Sequence, residues 1–230
     1  MAEIKKNVVD LGALGSIALV DYSGSDLSAV NAARCSYGTY KEELDEKDVK
    51  LIKYLVKHDH GTPFEHNFMS FRVRCPKPIN VQWIRHRSGW SYNEISGRYV
   101  EFKDDFYIPE KFRKQHETSK QASVSHDWCE LKEAELKKIY TDSLEQSYKA
   151  YTKLIAEGVA KEQARMLMPF GFITEFYASC NLRSFMHWYK LRSDEHAQYE
   201  IRQFAEAAMS LIKDKYPVTV KAMLDKESGK

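Results

Sequence analysis

The chain has 230 residues, 43% hydrophobic and 30% charged, with 35 Lys and Arg against 33 Asp and Glu for a formal net charge of +2. That length buries a sizeable core as one domain, or one domain with a subdomain, and the composition excludes a disordered chain. Near-neutral charge gives no global attraction for nucleic acid or an anionic membrane, so any anion site must come from local clustering.

Residues 17–23, IALVDYS, predict a first strand. Ser25 or Asp26 can cap a short helix over 26–34, with Leu27, Val30 and Ala33 on one face. A second helix is expected over 46–57, where Leu51, Ile52, Leu55 and Val56 recur at helical spacing; Gly61 and Pro63 follow as breakers. Met69, Phe71, Val73 and Cys75 alternate with Ser70, Arg72 and Arg74, the pattern of a half-buried strand. Pro76 and Pro78 end it, and Pro78 suits the first turn of a helix over 79–86.

Residues 85–99, RHRSGWSYNEISGRY, break this rhythm. Aliphatic side chains are nearly absent, so the stretch does not look like a core strand or helix. Residues 99–109 read as another strand or two, and 109–126 as a polar surface excursion. From 127 the pattern is helical up to Gly158, with Trp128, Leu131, Leu136, Tyr140, Leu144, Tyr148, Tyr151 and Ile155 at approximate helical spacing. A helix over 161–168 stops at Pro169, and 173–192 continues with few breaks. A last helix over 194–216 places Ala197, Ile201, Phe204, Ala208 and Leu211 on one stripe. The whole predicts one α+β domain over residues 1–230, with 223–230 as a frayed tail.

Cys35, Cys75, Cys129 and Cys180 lie far apart and form no CxxC, which reads as reduced, mostly packed thiols. No apolar run of signal-peptide or membrane-span length occurs. The expectation is therefore a cytoplasmic protein without a membrane partner.

Three clusters can carry chemistry. Arg85, Arg87 and Arg98 offer planar forks that match phosphate oxygens, and Ser96 and Gly97 allow backbone N–H groups to approach a phosphate; Glu94 sits among them. In HDHGTPFEH, the histidine spacings match no common zinc pattern, so no metal is expected; Thr62 and Glu65 offer a hydroxyl and a carboxylate. Asn181, Arg183, His187, Arg192 and His196 are interleaved with aromatics, as in a pocket that stacks a flat ring. A bland reading stands beside each: a solvated polar loop, a helix stop, an interface helix. A nucleic-acid module that stacks bases on Trp83, Trp90 and Tyr92 is a further alternative, disfavoured by the net charge.

Taken together, these segments resemble the flavin-dependent thymidylate synthases. RHRSGWSYNEISGRY is similar to that family's Arg-His-Arg…Ser motif, and DLSAVNAARCSYG, HGTPFEH, QWIRHR, GVAKEQARMLMP, NLRSFMHWYKLRSDEHAQYEIRQ and the closing YP occur in the family's order. The resemblance implies a mixed α/β subunit with a central, mostly antiparallel sheet flanked by helices. It implies a homotetramer with sites shared between subunits. It also implies reductive methylation of dUMP to dTMP, with methylenetetrahydrofolate as carbon donor, FAD as hydride carrier and NADPH as reductant. Residue by residue, it assigns dUMP to Gln82, Arg85, Glu94, Ile95, Ser96, Gly97, Arg98, Arg165 and Arg192. Arg192 is the catalytic arginine beside the uracil. FAD is assigned to Ser36, Thr62, Arg85, His86, Arg87, Glu94, Asn181, Arg183 and His187. Eight residues, not the usual seven, separate Arg87 from Ser96, so a bulged loop is expected there. His187 stands where the family often has Asn.

Overall fold

The computed structural model describes residues 7–227. In chain order its elements are β1 (Val8–Asp10), β2 (Ser16–Ser23), α1 (Asp26–Arg34), α2 (Glu46–Lys57), β3 (Phe68–Pro76), α3 (Lys77–Trp83), β4 (Trp90–Glu94), β5 (Lys114–Gln115), β6 (Ser123–Val124), α4 (Glu130–Ala156), α5 (Lys161–Ala164), β7 (Ile173–Asn181), α6 (Leu182–Ser193), α7 (Tyr199–Ile212) and α8 (Pro217–Glu227).

Five strands form one antiparallel sheet in the order β1-β2-β3-β7-β4. Alternation decides its two faces. Met69, Phe71, Val73 and Cys75 of β3 and Phe176, Ala178 and Cys180 of β7 point into the core beneath α6 and α7. The opposite face is polar: Ser70 and Ser179 hydroxyls meet at 2.8 Å, and Arg72 grips Glu175 at 2.6 and 2.8 Å. The turn into β2 needs Gly15, whose φ is +122°; a Cβ there would lie 2.0 Å from the Arg74 carbonyl oxygen.

The helices are tied down at their ends. Asp45 caps α2 by accepting from the Lys47 and Asp48 N–H groups. Buried Asp26 accepts from the Val218 and Thr219 N–H groups, which fastens the first turn of α8 to α1. Lys226, near the far end of α8, donates to the last turn of α2 at the Val56 carbonyl.

The early helices and β3 lie where the sequence predicts them, and α3 has proline in its first turn. Several expectations change, and the helices expected over 79–86 and 161–168 are the shorter α3 and α5. The segment 90–94 is a strand, because Trp90 turns into the core and Tyr92 packs against it, while Ser91, Asn93 and Glu94 stay exposed. Residues 99–109 form no strand; their sheet contact is a single bridge, Phe106 to Phe172. The surface excursion carries the small β5–β6 hairpin. In α4 only Leu144 and Tyr151 are buried, and Leu131 is 86% exposed. Residues 173–181 are the strand β7 rather than helix, since Thr174, Phe176, Ala178 and Cys180 alternate inward. The last helix starts at Tyr199 and ends at Ile212; after Pro217 the chain forms α8. Residues 223–227 are therefore helical, with Met223 and Leu224 packed on the core, and 228–230 fall outside the described residues.

Candidate active site

The site is anchored by an aromatic cluster. Trp83, at the end of α3, is fully buried, stacks on Trp188 of α6 at 4.3 Å and meets Trp90 edge-on at 6.3 Å. Residues 84–89 are strung between two of these rings. Tyr92 fixes their backbone by donating its hydroxyl to the His86 carbonyl at 2.7 Å. A tight turn forms at Ser88–Gly89, where the Trp90 N–H reaches the Arg87 carbonyl. Gly89 has φ +70°, and a Cβ there would lie 2.1 Å from Ser184 Oγ. Because Trp83 and Trp90 are buried, they are not presented for stacking on bases, as the nucleic-acid alternative would need.

The turn opens onto a cavity of about 960 Å³ lined by four separate segments within 55–65, 85–90, 181–190 and 223–226. Asn181 caps α6, its Oδ1 accepting from the Ser184 N–H at 2.8 Å, while its own N–H reaches the Gly89 carbonyl. Arg183 lies across Gly61 and donates to Glu65 at 2.5 Å. On the same wall, His86 and His187 meet edge-on at 6.1 Å. Arg192 lies behind them. Its Nε donates to His86 Nε2 at 3.0 Å and its Nη2 to the Gln82 carbonyl at 3.1 Å. Burial, then the neighbouring Arg192 charge, then His187, hold the His86 pKa down at about 4. His86 is thus a neutral acceptor at neutral pH. Burial also lowers the Arg192 pKa from its ordinary value.

The remaining nucleotide candidates gather at the other end of β4. Glu94 is gripped by Lys77 Nζ at 2.7 Å and by the Thr174 hydroxyl at 2.6 Å. The Ile95 N–H pairs with the Glu175 carbonyl, and Ser96 Oγ accepts from the Arg98 N–H at 3.2 Å. Gly97 lies against Phe102 and Arg165, and a Cβ there would be 2.4 Å from the Phe102 ring. Arg98 makes an exposed pair with Glu162 at 3.4 Å.

The structure thus brings Arg85, His86, Arg87, Asn181, Arg183 and His187 onto one cavity wall with Arg192 behind it. It leaves Ser36, Thr62 and Glu94 off that wall, with Ser36 and Thr62 exposed. Lys190 and Lys226 also line the cavity, though the sequence pattern did not single them out; their contribution depends on long-range packing. Cys75 and Cys180 are buried with thiols pushed well up by burial, so neither is an available nucleophile.

The family described as "Thymidylate synthase complementing protein" matches residues 18–218. A protein named flavin-dependent thymidylate synthase from Thermosipho melanesiensis is 47% identical over 91% of this chain and 90% of its own length. The chain belongs to this family. A second flavin-dependent thymidylate synthase, from Thermus thermophilus, is 43% identical over 89% of this chain and 73% of its own. The solved structure of a UMP/dUMP methylase, PolB from Streptomyces cacaoi, bound with 5-Br dUMP, superimposes with a TM-score of 0.84 at 32% identity, covering 94% of this chain and 97% of that one. Like its flavin-dependent thymidylate synthase relatives, the protein is an enzyme.

For a member of this family, the cavity fits a flavin dinucleotide on physical grounds. Its volume is at the upper end of small-molecule sites, about 300–1,000 Å³. Arg85, Arg87 and Lys190 bring positive charge suited to a pyrophosphate, while Arg183 and Lys226 are paired with Glu65 and Asp59 of the same lining; Met186 and His187 offer polarizable or flat surface to a ring. Among the described residues, no group of three or more His, Cys, Asp or Glu could hold a metal ion, and no helix is long and apolar enough to cross a membrane.

Proposed function

We propose that the protein converts dUMP to dTMP by reductive methylation, with methylenetetrahydrofolate as carbon donor, FAD in the cavity and NADPH as reductant. The observation that carries this reading is the fixing of Arg192. A half-buried guanidinium is held by a neutral histidine and a backbone carbonyl, beside a cationic cavity.

Two of the Arg192 nitrogens are thereby oriented, and Nη1 remains to face the pyrimidine. Making C5 of uracil nucleophilic requires electron density in the ring, with negative charge developing at N3 and O4. A preorganised positive charge there stabilises that density without reorganisation as the reaction proceeds. Neutral His86 suits this arrangement: a protonated ring would repel Arg192 and give up the lone pair that holds it. No enzyme nucleophile is required, which agrees with a Ser96 hydroxyl that accepts from backbone and with the absence, among the described residues, of any cysteine from the cavity lining. Bound flavin supplies the hydride that completes the methyl group. Arg85, Arg87, Asn181, Arg183 and His187 bind and orient it, and the cavity walls keep water from the reacting face.

Gln82, Arg85 and Arg192 take the base and sugar from one side. Glu94, Ile95, Ser96, Gly97 and Arg98 wrap dUMP, its phosphate included, from a second subunit with Arg165 beside them, and Ser36, Thr62 and Glu94 reach a flavin across the same interface. Exposed Tyr99, Met166 and Phe170 around that second cluster support a homotetramer. We place the protein in the cytoplasm as one domain.

The test is an absorbance spectrum of protein supplied with FAD, recorded with and without dUMP, followed by product analysis with methylenetetrahydrofolate and NADPH. A flavin spectrum perturbed by dUMP and formation of dTMP are expected. Failure to bind FAD sinks the reading. Flavin oxidation without dTMP would make the protein a reductase instead. A parallel assay with UMP asks whether this chain shares the ribonucleotide specificity that the PolB name implies for that enzyme.

A further inference from the structure

Behind Gln82 lies a polar relay that none of the assigned roles uses. Gln82 is on the last turn of α3; Gln198 immediately precedes α7; Glu200 is in the first turn of α7 and only 3% exposed. Glu200 receives Arg113 Nη2 on both oxygens at 2.8 and 2.9 Å, and the Tyr107 hydroxyl at 3.3 Å. Gln198 Nε2 donates to Glu200 Oε2 at 2.8 Å, and Gln82 Nε2 donates to Gln198 Oε1. Burial opposes charge on Glu200, but donation from Arg113 and Gln198 outweighs it and lowers the pKa below the usual glutamate value.

The direction of this relay is forced by chemistry. An ionised carboxylate can only accept. Gln198 must therefore turn its NH2 toward Glu200 and its carbonyl oxygen toward Gln82. That oxygen also only accepts, so Gln82 must turn its NH2 inward. An amide side chain alone could flip at little cost; this one is locked by an acceptor two residues along the relay. The Gln82 carbonyl oxygen, together with the second N–H of its NH2, is left for a ligand.

We infer that Glu200, acting through Gln198, fixes which end of the Gln82 amide meets the nucleotide, and that Gln198 and Glu200 are positioning residues for nucleotide recognition. This rests on the reading of Gln82 as a dUMP contact. It adds two residues outside that contact set and a direction to the hydrogen bond. The hairpin that carries Arg113 is joined to the nucleotide site by the same relay, since Arg113 Nε also holds the Ser123 hydroxyl at 2.9 Å.

The experiment is a double-mutant cycle on dUMP binding, measured by calorimetry on the FAD-loaded protein, with thermal midpoints recorded alongside. Gln198→Leu is expected to weaken dUMP binding about five- to twenty-fold. Its kcat at saturating dUMP should change far less than its KM. In a Gln82→Leu background the same change should add less than about two-fold, because the amide it orients is gone. Gln198 is exposed, and Gln198→Ser serves the same cycle should the leucine variant lose stability. Glu200→Gln, which removes the acceptor-only end, should reproduce the rise in KM. Equal weakening in both backgrounds would mean a purely structural role and would overturn the inference. So would unchanged affinity in Gln198→Leu while the unaltered protein binds dUMP. Absence of dUMP binding by the unaltered protein would overturn the proposed function as well, which separates the two failures.

Discussion

Strand β4 joins two unlike regions. At its first residue, Trp90, the chain closes on itself: a buried tryptophan cluster, a glycine turn, a capped helix and the Arg192–His86 pair leave a walled cavity. About 13 Å along the strand, at Glu94 to Arg98, the candidate residues sit in an exposed loop beside Tyr99, Met166 and Phe170. Both ends come from one fifteen-residue stretch, yet one is finished by its own chain and the other is open. Neighbours in sequence here do not share a site within the subunit, and arginines of similar appearance stand in opposite electrostatic settings. Arg192 is half-buried and oriented, whereas Arg98 is solvated and weakly paired, a class of contact worth roughly 0–1 kcal/mol.

The harshest way to break this contrast is Arg192→Ala. Turnover at saturating dUMP should fall by about 10²–10³-fold, the cost of removing one preorganised electrostatic partner, as measured by dTMP formation. Retained turnover would remove the electrostatic role from the closed end.

A mixing experiment sharpens the same division. Arg192→Ala and Arg98→Ala proteins, each inactive alone, are unfolded together and refolded as hybrids. Recovery of a fraction of wild-type turnover is expected if the open end is completed by a second copy. No recovery, with hybrids isolated by a different affinity tag on each variant, would place all residues in one subunit.

Gly89→Ala probes the turn between Arg87 and the tryptophan cluster. A methyl group would enter the space of Ser184 Oγ at a positive φ. A loss of roughly 1–3 kcal/mol in stability is expected from strain, together with weaker FAD binding because Asn181 and Ser184 are displaced. Denaturant unfolding and a flavin titration measure the two.

The smallest effect is spectroscopic. By NMR, His86 should titrate near 4 rather than at its ordinary 6.5. Its folded pKa lies below the unfolded value, so the stability of the neutral ring is complete above pH 6.5 and is lost as pH falls from there through 4. Arg192→Ala should raise the His86 value only part of the way, since burial is the larger cause. A His86 titration at its ordinary value would show that neither burial nor the Arg192 charge acts on the ring.

Where short-range chemistry decides, the sequence was readable. The period-two run at Met69–Cys75 and the helical stripe at Leu51–Val56 are where expected, because each buries one face. Strand β7 was missed because small residues, Ala178 and Cys180, hold its inward positions and blend into the helix that follows at Asn181. Strand β4 was missed because its outward residues are polar and only aromatics point inward. Arg183, His187 and Arg192 were legible as a helical series. The Gln82–Gln198–Glu200 relay was not, since 116 residues separate its first two members and neither has an unusual neighbour in sequence.

The cavity wall draws on residues from Leu55 to Lys226. Unfolding pulls those segments apart and leaves nothing for a cavity ligand to hold. Any ligand that fills the cavity therefore acts as a strut across the fold, and its binding energy reappears as resistance to melting. At a hundredfold excess over its dissociation constant, that adds about 2.7 kcal/mol. The melting temperature of this enzyme is thus a gauge of how full the cavity is, and a preparation stripped of any cavity ligand should be the first to unfold.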